Sequence, residues 1–253
     1  MGIKNLNKFI NKHSPSAITS ISYTQLKNKK VGIDAMNILY QFTTAIRSSG
    51  SDFENKTGKV TTHIYAILMK SVSLLKRGIL PVYVFDGKAP NLKNTTLENR
   101  TKIKLVAKEK LEKLEAIETL TEENKKDIGK LMQQTTTIGK KEIKECKEIL
   151  DLLGVPYIDA PGEADAELAY LVKNNLVDYI VSEDMDLLTF GCTKLIRGLG
   201  NKKNMVVIDL KTILTDINLT YKQFVDLCIL LGSDYTNTLS GIGMTRAFDL
   251  IKK

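Results

Sequence analysis

The 253-residue sequence predicts an α/β fold with a central, mostly parallel sheet flanked by helices. Short apolar runs rich in β-branched residues alternate with longer stretches in which apolar residues recur every three or four positions. The first pattern is typical of buried strands and the second of amphipathic helices. A hydrophobic content of 43% and a charged content of 26% fit an ordinary globular domain, and they exclude collagen, a disulfide scaffold and a disordered chain.

Five segments are predicted as strands, and the first three carry acidic residues at or just after their ends. These three are residues 30–34, 81–86 and 178–182. Residues 194–197 and 205–208 are predicted as two further strands at an antiparallel edge. Helices are predicted at residues 62–76, 143–153 and 163–174.

Residues 91–141 break this alternation, because they are highly charged and carry few strand signals. We predict a long, exposed helical insertion whose basic end lies next to the strand that ends at Asp86. The basic residues of its first part, residues 91–110, are Lys93, Arg100, Lys102, Lys104, Lys108 and Lys110, against Glu98 and Glu109. A solvated helical hairpin with salt pairs four residues apart would have the same composition, and that alternative stays open.

The last segment, residues 221–253, is predicted to form two helices joined by residues 240–244. We therefore divide the chain into a domain of residues 1–220, which includes the insertion, and a small element of residues 221–253. No Pro- or Ser-rich linker and no internal repeat separates them.

Composition limits the chemistry that this chain can perform. The 37 Lys and Arg against 29 Asp and Glu give a formal charge of +8, which favours an anionic partner. Three dispersed cysteines indicate a reducing, intracellular compartment, and neither a signal peptide nor a membrane span is predicted. With only two histidines, a zinc site is not expected. If the chain is an enzyme, we expect its carboxylates to carry the catalytic chemistry.

Seven acidic residues occupy positions that suit a catalytic site. Asp34 and Asp86 end two strands, and the carboxyl ends of strands are where sites form in open α/β sheets. The others follow the third strand, open a helix, or lie near the C-terminus: Asp184, Asp186, Glu163, Asp165 and Asp234. Each could instead start a turn or complement a helix N-terminus, and spacing alone leaves open whether they meet.

Carboxylates that converge raise one another's pKa unless cations lie among them. Oxygen ligands without His or Cys favour Mg²⁺ or Mn²⁺. Two such ions about 3.5–4 Å apart form the arrangement that hydrolyses phosphodiesters.

The sequence resembles the flap endonucleases of the structure-specific 5′-nuclease superfamily, which also contains an excision-repair nuclease and a 5′ exonuclease. The matching motifs occur in family order: MGIKNL at 1–6, VGIDA at 31–35, VYVFDG at 82–87, APGEADA at 160–166, SEDMDLLTFG at 182–191, LLGSDY at 230–235 and GIG at 241–243. The resemblance implies a PIN-like nuclease domain, a helical arch at about 91–141 and a truncated C-terminal helix-two-turn-helix.

The resemblance also implies that the seven acids bind two Mg²⁺ ions, with Mn²⁺ as a substitute. Asp34, Asp86, Glu163 and Asp165 match the residues around one ion. Asp184, Asp186 and Asp234 match those around the other, and Asp165 matches a bridging position. Flap endonucleases more often have Glu there, whereas Asp is similar to the exonuclease branch.

Basic residues of the arch match catalytic and DNA-binding positions. Lys93 and Arg100 match the cations that contact the scissile phosphate, and Lys104 matches a residue near the flap. Tyr40 matches an aromatic residue that stacks on a base, although a core tyrosine is equally consistent with its neighbours. Further matches to DNA-contacting positions are Gly2, Arg47 and Lys70.

Gly241 and Gly243 resemble the hairpin that grips duplex DNA, where relatives often bind K⁺; an ordinary helix–helix turn is the alternative. The usual Pro-Lys that follows is replaced by Met244 and Thr245, which leaves Arg246 as the nearby cation. No sliding-clamp motif is found, and the chain is either naturally short or a shortened piece.

We therefore expect a monomeric Mg²⁺-dependent 5′ flap endonuclease that cuts branched DNA during replication and repair. The alternatives are a 5′→3′ exonuclease of the same superfamily, a non-catalytic branched-DNA-binding relative and a nuclease that acts on RNA. The expected location is the nucleus if the source is eukaryotic and the cytoplasm if it is viral.

Overall fold

A computed structural model describes residues 2–88, 90, 93–116, 121–200, 205–236, 239 and 241–253. The chain forms two compact units that interleave along the sequence. The first unit contains Met1–Asp34, Leu74–Lys93 and Ile158–Lys253, and the second contains Ala35–Ser73 and Asn94–Tyr157.

The helices of the chain, over the described residues, are α1 Leu6–His13, α2 Ala35–Arg47, α3 Thr62–Leu75, α4 Asn94–Glu115, α5 Glu122–Gln134, α6 Lys140–Leu153, α7 Ala164–Lys173, α8 Leu210–Ile217, α9 Tyr221–Leu231 and α10 Met244–Lys252.

A seven-stranded sheet has the order β1-β7-β6-β5-β2-β3-β4. Its strands are β1 Ile18–Ser20, β2 Lys30–Asp34, β3 Leu80–Phe85, β4 Tyr157–Asp159, β5 Tyr179–Val181, β6 Lys194–Arg197 and β7 Val206–Asp209. β2 is parallel to both β3 and β5, and β5 is parallel to β6. β7 runs antiparallel to β6 and to β1. The carboxyl ends of β3, β2 and β5 therefore lie side by side at one edge of the sheet.

The first unit has its own apolar core around this sheet. Leu6, Phe9, Leu168, Ile180 and Phe224 are all fully buried in it. α10 packs on α1 through an edge-to-face contact between the rings of Phe248 and Phe9, whose centroids are 5.0 Å apart. Such a pair stabilises by about 0.5–1.5 kcal/mol beyond the burial of its area. The C-terminal helix is thus tied to the N-terminal one.

The second unit contains α2, α4, α5, α6 and most of α3. α5 packs against both α4 and α2. Gly129 permits close packing of α5, because a Cβ at this position would lie 2.5 Å from the carbonyl oxygen of Ser48. A partly buried polar contact joins α3 to α6, where His63 Nε2 lies 2.7 Å from Glu145 Oε2.

All five predicted strands are present, with ends within two residues of the prediction. The antiparallel pairing of β6 with β7 is confirmed, but β1, which was not predicted, forms the edge beyond β7. The charged insertion is helical as predicted, as α4 and α5; Asn91, Leu92 and residues 117–120 of it lie outside the described residues. The two C-terminal helices are confirmed as α9 and α10, whereas Ser240 of their connection is not described. Within the described ranges, no helix is long and apolar enough to cross a bilayer.

Candidate active site

The acidic residues of the first unit gather at the carboxyl ends of its parallel strands. β2 ends at Asp34, and Asp86 follows β3 directly. Asp184 comes three residues after the end of β5. Because these strands are parallel, hydrogen-bonded neighbours, the segments that follow them all begin at the same edge of the sheet. We call the seven acids Asp34, Asp86, Glu163, Asp165, Asp184, Asp186 and Asp234 the acidic cluster.

The N-terminus of α7 brings two more members to this edge. Glu163 is the N-cap residue of α7, and Asp165 lies in its first turn. The backbone N–H of Ala164 donates a hydrogen bond of 2.8 Å to Asp86 Oδ1. The positive end of a helix dipole favours carboxylates at these positions. This contact joins the end of β3 to the start of α7.

Asp165 lies where the charges of the cluster converge. Burial, followed by the charges of Asp34, Asp184 and Asp86, raises the pKa of its carboxyl group to about 8, and Lys93 acts in the opposite direction. Each of the three Asp neighbours thus lies close enough to repel it. This is the electrostatic signature of a site that favours a bound cation.

The N-terminal segment packs against a second group of acids. The backbone N–H of Ile3 donates a buried hydrogen bond of 2.7 Å to Asp186 Oδ1, and the N–H of Asp186 donates one of 3.0 Å to Asp184 Oδ1. A Cβ at Gly2 would lie 2.6 Å from Asp184 Oδ1, and the φ of Gly2 is +98°. Burial and then the charge of Asp184 raise the pKa of Asp186 to about 7. Only glycine fits here without moving the carboxylates.

Glu163 is held by two donors. Lys93 Nζ donates to its Oε1, and Tyr235 Oη donates to its Oε2. Burial would lower the pKa of Lys93, but the hydrogen bond and charge of Glu163, with the charges of Asp165 and Asp234, raise it overall. Lys93 is therefore charged at neutral pH. Tyr235 was not predicted to have a role, although it is the last residue of the motif LLGSDY and directly follows Asp234.

The donor set of the cluster suits a hard divalent cation, because every acidic side chain offers oxygen alone. Among the residues that the structure describes, no three His, Cys, Asp or Glu side chains are grouped so that they could hold a metal ion as they stand. Lys93 and Tyr235 both donate to the Glu163 carboxylate, and the charges of Asp34, Asp184 and Asp86 act on Asp165.

The C-terminal hairpin is a separate feature of the first unit. Gly241 has a φ of +78°, and Gly243 is the N-cap residue of α10. Arg246 Nη1 donates a hydrogen bond of 2.8 Å to the carbonyl oxygen of Gly241. The side chain of Arg246 thus closes the turn that it follows.

The remaining predicted DNA-contacting residues lie in the second unit. Lys104 Nζ lies 5.7 Å from the centroid of the Tyr40 ring, and both side chains are partly exposed. Arg100 precedes Lys104 by one helical turn on α4, and burial together with the charge of Arg100 lowers the pKa of Lys104. Arg47 forms an ion pair with Asp52, at 2.9 Å. Lys70 lies on α3, in its second half.

Comparisons with known proteins identify the family of the chain. Residues 1–107 match the XPG N-terminal domain, and residues 154–234 match the XPG I-region. Flap endonuclease 1 of Danio rerio is 43% identical over 257 residues, which cover all of this chain and 66% of that protein. Flap endonuclease 1 of Brugia malayi is 39% identical, and the match covers all of this chain and 67% of that protein. The chain thus spans about two thirds of the length of the curated relatives that it matches.

Two kinds of solved structure share the fold. The flap endonuclease-1 of Methanococcus jannaschii is 34% identical, with a TM-score of 0.70, over 93% of this chain and 74% of that one. The catalytic core of Rad2 in complex with DNA substrate is 30% identical, with a TM-score of 0.73, over all of this chain and 67% of that one. The expected PIN-like fold is confirmed, and so is the family resemblance. By its family domains, its relatives and its fold, the chain belongs to the flap endonucleases of the XPG family.

Proposed function

We propose that this chain is a Mg²⁺-dependent 5′ flap endonuclease that cuts branched DNA near the junction of single strand and duplex, in replication and repair. The observation that carries the proposal is the acidic cluster at the carboxyl ends of β3, β2 and β5, with the Lys93 ammonium at its margin. The relatives that match the whole chain are flap endonucleases, and the Rad2 core that shares the fold was solved with DNA substrate.

In this proposal Asp34, Asp86, Glu163 and Asp165 would hold one Mg²⁺, and Asp184, Asp186 and Asp234 would hold the other. When bound, the two ions, or Mn²⁺ in their place, would supply Lewis acidity at the scissile phosphate and lower the pKa of the attacking water. The raised pKa values of Asp165 and Asp186 support the assignment, because a divalent cation would relieve the repulsion that raises them.

Two cations of the chain are assigned to the phosphate. Lys93 donates hydrogen bonds to a non-bridging oxygen, and Arg100 adds its guanidinium fork, so that negative charge is stabilised as it develops. Tyr40 stacks on a base beside the cut, and Lys104 contacts the flap. Arg47 and Lys70 are assigned to duplex phosphates, and Gly2 keeps the N-terminus against Asp184.

The C-terminal hairpin is assigned to the unbroken duplex. Backbone groups of Gly241 and Gly243, together with a K⁺ ion, contact a phosphate, and Arg246 adds a cation. The division into a nuclease domain of residues 1–220 and a DNA-binding element of residues 221–253 belongs to this proposal. So do a monomeric state and a nuclear location in a eukaryotic source.

The test is cleavage of a 5′-end-labelled double-flap DNA with Mg²⁺ and with EDTA. We expect one Mg²⁺-dependent product cut near the flap base, and at least a 100-fold loss of rate in Asp184→Asn with duplex binding kept. Asp216→Asn is the matched control, because Asp216 accepts hydrogen bonds from Ser14 and Ser16 instead of belonging to the cluster. A ladder of mononucleotides would assign the chain to the exonuclease branch, and cleavage in EDTA would contradict the metal mechanism.

A further inference from the structure

Both carboxylate oxygens of Glu163 accept hydrogen bonds from side chains. Lys93 Nζ donates to Oε1 and Tyr235 Oη donates to Oε2. The side chains of Glu163 and Lys93 are only 12% and 16% exposed. Lys93 Nζ also lies 5.3 Å from the centroid of the Tyr235 ring. The three side chains therefore form one packed group, all within the first unit.

The two donors differ in what turnover requires of them. If Lys93 donates to the scissile phosphate, as proposed above, its ammonium, which has three N–H donors, is shared between the phosphate and Oε1. A carboxylate that shares one of its two partners depends more on the other partner for its orientation. The Tyr235 hydroxyl remains as that partner, and a phenol that donates to a carboxylate makes a strong, charge-assisted bond.

Tyr235, which carries this hydroxyl, lies in a short turn that is held by two contacts. The N–H of Tyr235 donates to Ser233 Oγ at 3.2 Å, and an isolated antiparallel bridge pairs Ser233 with Thr236. Asp234 lies in the same turn. One turn therefore supplies a ligand of one proposed metal site and, through Tyr235, a contact to a ligand of the other.

We infer that Tyr235 is a positioning residue, which fixes the Glu163 carboxylate for metal binding and links the two halves of the acidic cluster through the turn at residues 233–236. The inference rests on the proposed function. Partners that orient metal ligands commonly change metal affinity or activity by about 10–100-fold when they are removed. Removal of the Tyr235 hydroxyl should therefore weaken metal binding although Tyr235 touches no metal.

The experiment titrates DNA-free protein with Mn²⁺ and measures bound metal by electron paramagnetic resonance. Tyr235→Phe should bind one Mn²⁺ at least 10-fold more weakly than the parent protein. Tyr221→Phe is the matched control, because its hydroxyl donates to a backbone carbonyl, that of Thr189, at 2.6 Å. The control should leave both Mn²⁺ affinities unchanged, and both variants should keep the far-UV circular dichroism of the folded protein.

A double variant separates positioning from a general loss of structure. If Tyr235 acts through Glu163, then Tyr235→Phe should cost nothing further in a Glu163→Gln background. An equal additional loss there would overturn the inference, and so would Tyr235→Phe with the parent's Mn²⁺ affinity; both outcomes leave the proposed function standing. A parent protein that binds no Mn²⁺ would instead overturn the proposed metal site itself, and the inference with it.

Discussion

The pKa values of Asp165 and Asp186 in the acidic cluster are both raised, and that of Asp165 is the higher. Burial, together with the charges of Asp34, Asp184 and Asp86, raises the pKa of Asp165 to about 8. Keeping this group ionised inside the protein at neutral pH therefore costs stability. A proton or a metal ion can remove that cost, and the two must compete for the same carboxylate.

This competition predicts how stability depends on pH when metal is removed by EDTA. The ordinary pKa is 3.8, so between pH 4 and pH 8 the folded state binds more protons at Asp165 than the unfolded state does. The contribution of Asp165 to stability must fall as pH rises through that window. Asp165→Asn removes this penalty, and we expect its melting temperature to match the parent's near pH 4 and to exceed it by a few degrees at pH 8.

The control for this measurement is a variant at an acid whose pKa is lowered, so that its stability should change with pH in the opposite direction. Burial tends to raise the pKa of Asp178, but hydrogen bonds from the Lys30 N–H and from Lys29 lower it overall. Asp178→Asn should therefore lose stability near neutral pH and lose less as pH falls below 4. A stabilisation by Asp165→Asn that is the same at pH 4 and pH 8 would show that the carboxyl group is not the cause.

At this scale the sequence predicts the acids but not their partners. Asp34 and Asp86 are identifiable because each ends an apolar run, and the runs mark strands whose ends meet. The bond between Tyr235 and Glu163 joins residues 72 positions apart, and the bond between Ile3 and Asp186 joins residues 183 apart. Contacts of this kind depend on loop conformations, which hydrophobic periodicity does not encode.

Among the secondary-structure elements, regular periodicity separates those that were predicted from those that were not. β2 and β6 match their predicted bounds, because each is a compact apolar run. No helix was predicted at α2, which follows β2 without a loop and includes the β-branched residues Thr43, Thr44 and Ile46. β1 and β4 have three residues each, too few to show alternation, and their sequences ITS and YID lack the continuous apolar run YIV of the equally short β5. Short strands without an apolar run and abrupt strand-to-helix changes were therefore not predicted.

The packing of α5 predicts that a Gly-to-Ala substitution destabilises the protein, which is the opposite of what helix propensity alone would give. Replacing Gly by Ala inside a helix normally stabilises it by about 1 kcal/mol. In Gly129→Ala the new Cβ would meet the Ser48 carbonyl oxygen at 2.5 Å, so the backbone must shift, and overpacking of this kind costs about 1–3 kcal/mol. We expect a net destabilisation of about 1 kcal/mol in urea unfolding, with faster hydrogen exchange in α5. Lys126→Ala, at an exposed position of α5, should be nearly neutral, and a more stable Gly129→Ala would disprove the close packing.

At the scale of the whole molecule, the excess of basic residues is distributed over both units. The formal charge of +8 comes from 37 Lys and Arg against 29 Asp and Glu. Lys104 belongs to the second unit, beside Tyr40, whereas Arg246 belongs to the first, at the hairpin before α10. If each unit binds a different part of branched DNA, the two cations should contact different phosphates.

Salt dependence of binding can separate these two contacts. Each phosphate contact contributes about 0.9 to the slope of log K against log salt concentration, so each variant that loses one should flatten the slope by about 1. We expect Lys104→Ala to flatten it on 5′-flap DNA but not on plain duplex, and Arg246→Ala to flatten it on both. Lys102→Ala and Lys222→Ala, at exposed positions on α4 and α9, are the controls. Because the two residues lie in separate units, the double variant should show the sum of the two changes on 5′-flap DNA. Equal effects of Lys104→Ala on both substrates would place Lys104 against the duplex instead of the flap.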